Sequence, residues 1–139
     1  MLALIQRSFA YMEGVIDPPS SMLNLTVAGL EQAACDGVAL GIGDPLVACA
    51  LCKPAGDALY VGKIVVDHSQ RGKGLARALI AEAEVIARER GLAWLELQTR
   101  VELTANHQTF AALGFAKVAE TAHAGYNRPT SITMRKAIP

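Results

Sequence analysis

The spacing of apolar residues divides the chain into helices and strands. The first apolar residues recur every three or four positions, which predicts a helix at the start of the chain. These residues are Leu2, Ile5, Phe9 and Met12. Asp17 and the two prolines after it end that helix. Ser20 or Ser21 is expected to cap a second helix, which runs through "MLNLTVAGLEQAAC" and ends near Gly37.

Strand-like runs dominate the rest of the chain. Three of them, "VALGI", "PLVACALC" and "ALYVGKIVV", are separated by the turn sequences "GDP" and "PAGD", which predicts an antiparallel meander. A long helix over about 74–90 follows, and then the strand "AWLELQT". The short helix "TANHQTFAAL" is closed by Gly114, with Phe115 folding back on it. The strands "FAKVAET" and "TSITMRKA" end the chain.

This order of elements predicts an α/β (α+β) fold with a mixed, mostly antiparallel twisted sheet flanked by helices. The step from strand through long helix to strand is the expected parallel crossover, because parallel neighbours need a long connection. The sequence contains no internal repeat, no linker and no low-complexity segment. A single domain over residues 1–139 is therefore predicted.

Composition and charge argue against several classes of protein. The 139 residues are 52% hydrophobic and carry a formal net charge of zero, which argues against a nucleic-acid-binding protein and against a disordered tail. No apolar run approaches the roughly 20 residues of a membrane-spanning helix. The start is not typical of a signal peptide, because Arg7 interrupts a short apolar stretch. A cytoplasmic protein with neither a membrane nor a nucleic-acid partner is the expectation.

The cysteines raise the question of a redox or metal site. Their number is odd, which fits a reducing compartment, but Cys49 and Cys52 form a C-x-x-C. Both lie in a predicted strand, where residues three apart point to opposite faces. No second pair of Cys or His residues accompanies them. We interpret them as small buried hydrophobes and predict no metal, with the redox or metal interpretation as the alternative.

The segment "HSQRGKGLARALIAEAEVIARERG" predicts an anion site at the start of the long helix. Gly72 and Gly74 allow a ligand to approach the backbone, and Arg71 and Lys73 add positive charge beside the unpaired first amides of the helix. A Walker loop is excluded because its G-K-[ST] ending is missing, and a dinucleotide fingerprint is excluded because Arg77 takes the place of its small third residue. The alternative is a surface turn with solvated cations.

Two motifs resemble the GCN5-related N-acetyltransferase (GNAT) family. "RGKGLA" is similar to its Q/R-x-x-G-x-G/A signature, which holds the pyrophosphate of acetyl-coenzyme A. "NHQTFAALGF" is similar to its N-x-x-x-[FY]-x-x-x-G-F helix. "LYVGKIVVD" stands where the family has its central strand, and the order of elements matches over nearly the whole chain.

The resemblance implies an acetyl-coenzyme A-dependent N-acetyltransferase. It would move an acetyl group by direct attack of a primary amine of a small molecule or a peptide. By position, the backbone of Val66 would bind pantetheine, the amide of Ile64 would face the thioester oxygen, and Asn106 and Phe110 would line the other side of the arm. The residues implied in pyrophosphate binding are Arg71, Gly72, Lys73, Gly74, Leu75 and Ala76.

The sequence departs from the family at the proton-transfer positions. Tyr60 stands at about the position of the family's strand Glu, and Phe110 stands at the position of its Tyr. Tyr126 and His123 in "HAGYNRP" are the candidate catalytic residues, with an ordered loop as the alternative. Two weaker candidates, Asp67 and Glu102, are interpreted as a turn acceptor and a solvated charge. These departures favour, as the alternative function, a module that binds acetyl-coenzyme A as a sensor or regulatory partner. A protein-interaction domain without a coenzyme site leaves the glycine loop unexplained.

The acceptor is expected to contact the first interhelical segment and the last hairpin. Residues predicted to bind it are Tyr11, Met12, Arg100, Tyr126 and Arg128. An arginine among them could bind a carboxylate of the acceptor. The family usually has a strand before the first helix, and here that edge strand is predicted to be missing. An exposed strand edge favours pairing with another chain, so a homodimer is an open expectation.

Overall fold

The predicted order of helices and strands is present in the structure, a computed structural model that describes residues 1–10, 16–17 and 26–139. The helices are α1 (Leu2–Phe9), α2 (Val27–Asp36), α3 (Leu75–Glu89) and α4 (Thr104–Ala112). The strands are β1 (Val38–Ile42), β2 (Ala48–Ala55), β3 (Ala58–Val66), β4 (Trp94–Arg100), β5 (Ala116–Thr121) and β6 (Ser131–Ala137).

The strands form one sheet in the order β1-β2-β3-β4-β6-β5. All neighbours are antiparallel except β3 and β4, which are parallel and are joined through α3. The predicted mixed sheet and its single parallel crossover are therefore confirmed. β1 is an edge strand, and within the described ranges no strand precedes α1.

The bounds of two elements were predicted wrongly. The second helix begins at Val27, and Thr26 caps it by accepting a hydrogen bond from the amide of Gly29 at 3.1 Å. Ser20 and Ser21 lie outside the described residues. β2 runs over 48–55 and not over 45–52, because Pro45–Val47 belong to the preceding turn and the strand continues to a tight turn at Gly56 and Asp57.

Each face of the sheet packs against its own pair of helices. On one face, Leu59, Val61, Leu95 and Leu97 are buried together with residues of α3 and α4. On the other face, a smaller cluster from β2 and β3 packs against α1 and α2. β2 and β3 therefore have a buried core on both sides, which fixes how β3 sits relative to the helices.

The two cysteines of β2 lie on opposite faces of the sheet, as the strand alternation predicted. Cys49 belongs to the cluster under α1 and α2, and Cys52 belongs to the cluster under α3. Both are free thiols, and burial raises the pKa of each to about 11. Both are therefore protonated at neutral pH and pack as small apolar side chains.

None of the helices among the described residues has the length and apolar character needed to cross a lipid bilayer.

Candidate active site

β3 and β4 pair only at their beginnings and then separate. The parallel register runs from Ala58↔Trp94 to Tyr60↔Glu96. Beyond it, a cavity of about 750 Å³ opens between residues 61–66 of β3 and 97–100 of β4 and extends to the N-terminus of α3. We call this space the β3–β4 cleft. Its walls are strand backbones, which can hydrogen-bond an extended ligand inserted between them.

A bulge turns the backbone of β3 at the middle of the cleft. Cys49 pairs with Val65 and Leu51 pairs with Gly62, so β3 has one residue more than β2 across this step. Lys63 takes up the extra length with φ +49°. Ile64 follows it, lines the cleft, and has no register partner among the described strands. A bulge of this kind re-aims the backbone of its residues.

The glycine loop forms the open end of the cleft. Gly72 and Gly74 have φ of +81° and +78°, and a Cβ built on either would meet no atom within 4 Å. Gly74 is the N-cap of α3 and offers no side chain to the first amides of the helix. Those amides and the helix dipole present positive charge towards the cleft. The loop can therefore hold an anion at its backbone.

The predicted coenzyme residues of this loop lie together, with one exception. The residues that line the cleft are Val66, Arg71, Gly72, Gly74, Leu75 and Ala76. Lys73 is not among the lining residues, and its Nζ donates to Oε1 of Gln70 at 3.1 Å. Lys73 therefore contacts Gln70, which itself lines the cleft.

β4 contributes a buried hydroxyl that the sequence did not point to. Thr99 is only 8% exposed and lines the cleft. Its Oγ1 is buried and has no hydrogen-bond partner among the described residues. A buried hydroxyl without a partner carries a free-energy cost, which a polar ligand in the cleft would remove. The residues present therefore fit an amide-containing chain between β3 and β4.

α4 forms the far wall of the cleft. Asn106 and Phe110 both line it. Phe110 is buried and packs edge-on against Phe115, with ring centroids 6.0 Å apart. The amide of Phe115 donates to the carbonyl of Phe110 at 3.0 Å, and Gly114 between them has φ +102°. Phe110 is therefore fixed in the apolar core and carries no group that transfers a proton.

His123 reaches the cleft from the β5–β6 hairpin. It lines the cleft, and its Nδ1 contacts Oγ1 of Thr130 at 2.5 Å. Its pKa is lowered, mainly by burial of the ring and then by the charge of Arg100, while Glu102 opposes the shift. The residue as a whole remains exposed at the mouth of the cleft. An imidazole with a lowered pKa is neutral at physiological pH and can accept a proton.

Tyr126 and Arg128 are engaged with Asp17 and do not line the cleft. The hydroxyl of Tyr126 donates to one carboxylate oxygen of Asp17 at 2.6 Å, and Arg128 donates to the other at 3.1 Å. The hydrogen bond to Asp17 is the main cause that raises the pKa of Tyr126. These contacts connect the last hairpin to the segment between α1 and α2. Tyr11 and Met12 lie outside the described residues.

The end of β4 brings charge to the same region. Arg100 lines the cleft, and burial is the main cause that lowers its pKa, against the charges of Glu102 and Asp17. Glu102 was interpreted as a solvated charge, and that is wrong. It is half-buried, and its Oε2 accepts a hydrogen bond from the amide of Asp17 at 3.0 Å.

The other weaker candidate, Asp67, accepts a hydrogen bond from Ser69 at 3.1 Å, which agrees with its interpretation as a turn acceptor.

Tyr60 stands at the closed end of the cleft. Its ring lies along the strand over Gly62, because a Cβ on that glycine would be 3.1 Å from Cε1 of Tyr60. Burial, followed by the charge of Glu96, raises the pKa of the phenol. Tyr60 is therefore protonated at neutral pH and cannot replace a carboxylate as a base.

Comparisons with known proteins agree with this architecture. The profile of the acetyltransferase (GNAT) family matches residues 7–115. A comparison of the sequence with curated proteins finds no match. Among solved structures, a Klebsiella pneumoniae protein assigned as an acyl-CoA N-acyltransferase is 25% identical with a TM-score of 0.71, over 99% of this chain and 88% of that one.

Two further structures share the fold at lower identity. PaiA N-acetyltransferase from Thermoplasma acidophilum, solved in complex with coenzyme A, is 16% identical with a TM-score of 0.81, over 98% of this chain and 89% of that one. The ribosomal-protein-S18-alanine N-acetyltransferase from Escherichia coli is 20% identical with a TM-score of 0.65, over 96% of this chain and 87% of that one. With the family profile covering most of the sequence and the fold shared along nearly its whole length, the chain belongs to the acetyltransferase (GNAT) family.

Proposed function

We propose that this protein is an acetyl-coenzyme A-dependent N-acetyltransferase whose acceptor is a primary amine of a small molecule or a peptide. The observation that carries the proposal is the β3–β4 cleft, which leads from the N-terminus of α3 to the mouth where His123 lies. Such a cleft offers anion binding at one end, main-chain hydrogen bonds along its length and a neutral imidazole at the other end. A cleft with these three features is suited to binding a long phosphorylated thioester together with an amine.

The coenzyme would be held mainly by backbone groups. The amides at Gly72, Gly74 and the first turn of α3 would bind its diphosphate, and the edge of β3 up to Val66 would bind its pantetheine arm. The unpartnered hydroxyl of Thr99 would complete its hydrogen bonding on the opposite wall. PaiA N-acetyltransferase, which shares this fold, was solved with coenzyme A, and that supports the assignment.

His123 would remove the proton from the acceptor amine. When bound, acetyl-coenzyme A would supply an acetyl thioester. The transfer forms a C–N bond and breaks a C–S bond, and the coenzyme A thiolate leaves and takes up the second proton that the amine loses on forming the amide. An alkyl amine has a pKa near 10 and must lose a proton to react at neutral pH. His123 lines the cleft and its lowered pKa keeps it neutral, whereas Tyr126 is bound to Asp17 outside the cleft. We therefore propose His123 as the base, and the amide of Ile64 as the donor to the thioester oxygen.

Ligand binding tests the coenzyme assignment without an acceptor. Acetyl-coenzyme A at about 100 times its dissociation constant is expected to stabilise the native state by about 2.7 kcal/mol, which raises the midpoint of thermal unfolding by roughly 8 °C. ATP and NAD at the same concentration are expected to leave the midpoint unchanged. A midpoint that responds to none of the three would favour a protein-interaction domain without a coenzyme site.

Tyr60 is expected to restrict the donor to short acyl groups. Its ring covers Gly62, two residues before Ile64 on β3, so it limits the space beyond the thioester. Tyr60→Ala is expected to raise kcat/KM for butyryl-coenzyme A relative to acetyl-coenzyme A about 10-fold or more. Tyr60→Phe keeps the ring and should keep the wild-type ratio. An unchanged ratio in Tyr60→Ala would contradict this role.

A second candidate function is a module that binds acetyl-coenzyme A without turnover. The observation in its favour is that Tyr60 and Phe110 stand where the family has an acid–base pair, and neither can act as a base. Release of free thiol from acetyl-coenzyme A across a panel of amines separates the two functions. Thiol release that depends on the amine supports the enzyme. Tight coenzyme binding without release from any amine in a broad panel supports the sensor.

A further inference from the structure

The hydroxyl of Thr130 meets three groups of the β5–β6 hairpin. It accepts from the backbone amide of His123 at 2.9 Å, contacts Nδ1 of the same residue at 2.5 Å and lies 3.4 Å from the carbonyl oxygen of Thr121. Thr130 itself is fully buried, and its backbone pairs with Thr121 and with Val101. The position of the Thr130 hydroxyl is therefore fixed at the point where it contacts the imidazole of His123.

The donor and acceptor roles of these groups can be assigned in only one way that satisfies all three contacts. A hydroxyl donates one proton and accepts two, an amide only donates, and a carbonyl only accepts. All three contacts become hydrogen bonds only if the hydroxyl donates to Thr121 and accepts from both the amide and Nδ1–H of His123. The carbonyl of Thr121 also accepts the amide of Thr130 at 2.8 Å and has a lone pair for each donor. Nδ1 then carries the proton.

We propose that Thr130 is the positioning residue that holds His123 as the Nδ1–H tautomer, with the basic Nε2 free to take a proton from the acceptor. The role of Nε2 as the base rests on the proposed function. The assignment of the tautomer does not rest on it, because it is argued from the contacts of the Thr130 hydroxyl. Within the described part of the chain, Nε2 has no hydrogen-bond partner. The charged groups acting on the ring are Arg100, the last residue of β4, and Glu102 in the turn after it. Their opposite charges shift the pKa of the ring in opposite directions, whereas Thr130 is the group that contacts Nδ1 directly.

Nitrogen-15 NMR of the wild-type protein above the pKa of His123 tests the tautomer directly. The expected spectrum has the proton-bearing, pyrrole-type signal at Nδ1 and the lone-pair, pyridine-type signal at Nε2. The opposite assignment would overturn the proposal without touching coenzyme binding or turnover. Thr130→Val, which removes the hydroxyl at nearly constant volume, is expected to shift the spectrum towards a mixture of tautomers. Thr130→Ser should keep the wild-type spectrum.

Kinetics of the same variants test the positioning role. Thr130→Val is expected to lower kcat about 10- to 100-fold with the dissociation constant for acetyl-coenzyme A unchanged, because the base is no longer held in the productive orientation. Thr130→Ser should stay within about threefold of wild type, which a purely steric role of the methyl group would not produce. Wild-type kcat in Thr130→Val would overturn the proposal. A Nδ1–H tautomer combined with full activity in His123→Ala would instead refute the base and leave the tautomer assignment intact.

Discussion

Gly74→Glu is expected to weaken acetyl-coenzyme A binding by about 100-fold or more, equivalent to about 2.8 kcal/mol. Gly74 is the N-cap of α3, it has φ +78°, and the space where its side chain would lie is open towards the cleft. A carboxylate there would occupy the helix N-terminus and repel the diphosphate. Isothermal titration calorimetry of the purified variant measures the change.

Gly91→Glu is the matched control for backbone strain. Gly91 follows the other end of α3, has φ +70° and is equally open, so the same side chain carries a similar conformational cost of about 1–2 kcal/mol. It lies away from the cleft and should keep the wild-type affinity for the coenzyme. If both variants fold and bind acetyl-coenzyme A equally well, the diphosphate does not sit at the start of α3.

His123→Ala is expected to lower kcat by about 10²- to 10³-fold while the dissociation constant for acetyl-coenzyme A stays unchanged. The acid limb of the pH–rate profile gives a second signature. Because the pKa of His123 is lowered from its ordinary value of 6.5, the wild-type rate should fall with decreasing pH only below that value. The residual activity of His123→Ala should lack this limb. Steady-state kinetics between pH 5 and about 9 measure both effects.

Tyr126→Phe separates the two candidates on the last hairpin. It removes the hydroxyl that donates to Asp17 but leaves the ring and His123 in place. We expect kcat to change by less than about threefold, since this hydroxyl is bound to Asp17 and does not line the cleft. A large loss of kcat in Tyr126→Phe together with near wild-type activity in His123→Ala would reverse the assignment of the base.

Local sequence predicted the elements well where a buried face imposes a clear period. β3 has the predicted bounds because its residues pair within the buried part of the sheet, and β1 has them because its half-buried and exposed residues alternate. The start of α2 was missed because Ser20, Ser21 and Thr26 are all acceptable caps, and local preference does not choose between them. The shift of β2 has a similar cause, because its pairing with β3 continues to Ala55 through Pro54 and overrides a local turn signal.

The same distinction applies to the residues of the site. Some were identified from their neighbours in sequence, and others depend on contacts between distant segments. The glycine loop was predictable because its glycines, its cations and the helix after it are contiguous in the chain. Thr99 and Thr130 were not singled out, because an unpartnered or a tautomer-setting hydroxyl looks like any strand threonine until its surroundings are known. Glu102 was taken for a solvated charge because its partner Asp17 is 85 residues away in sequence.

A crystal structure of the protein with acetyl-coenzyme A at millimolar concentration tests the central claim most directly. The expected complex has the diphosphate on the amides of Gly72, Gly74 and the first turn of α3. Its pantetheine arm lies between residues 61–66 of β3 and 97–100 of β4, with Thr99 bonded to it. A diphosphate bound elsewhere, or a β3–β4 cleft that stays empty beside bound coenzyme, would contradict the account.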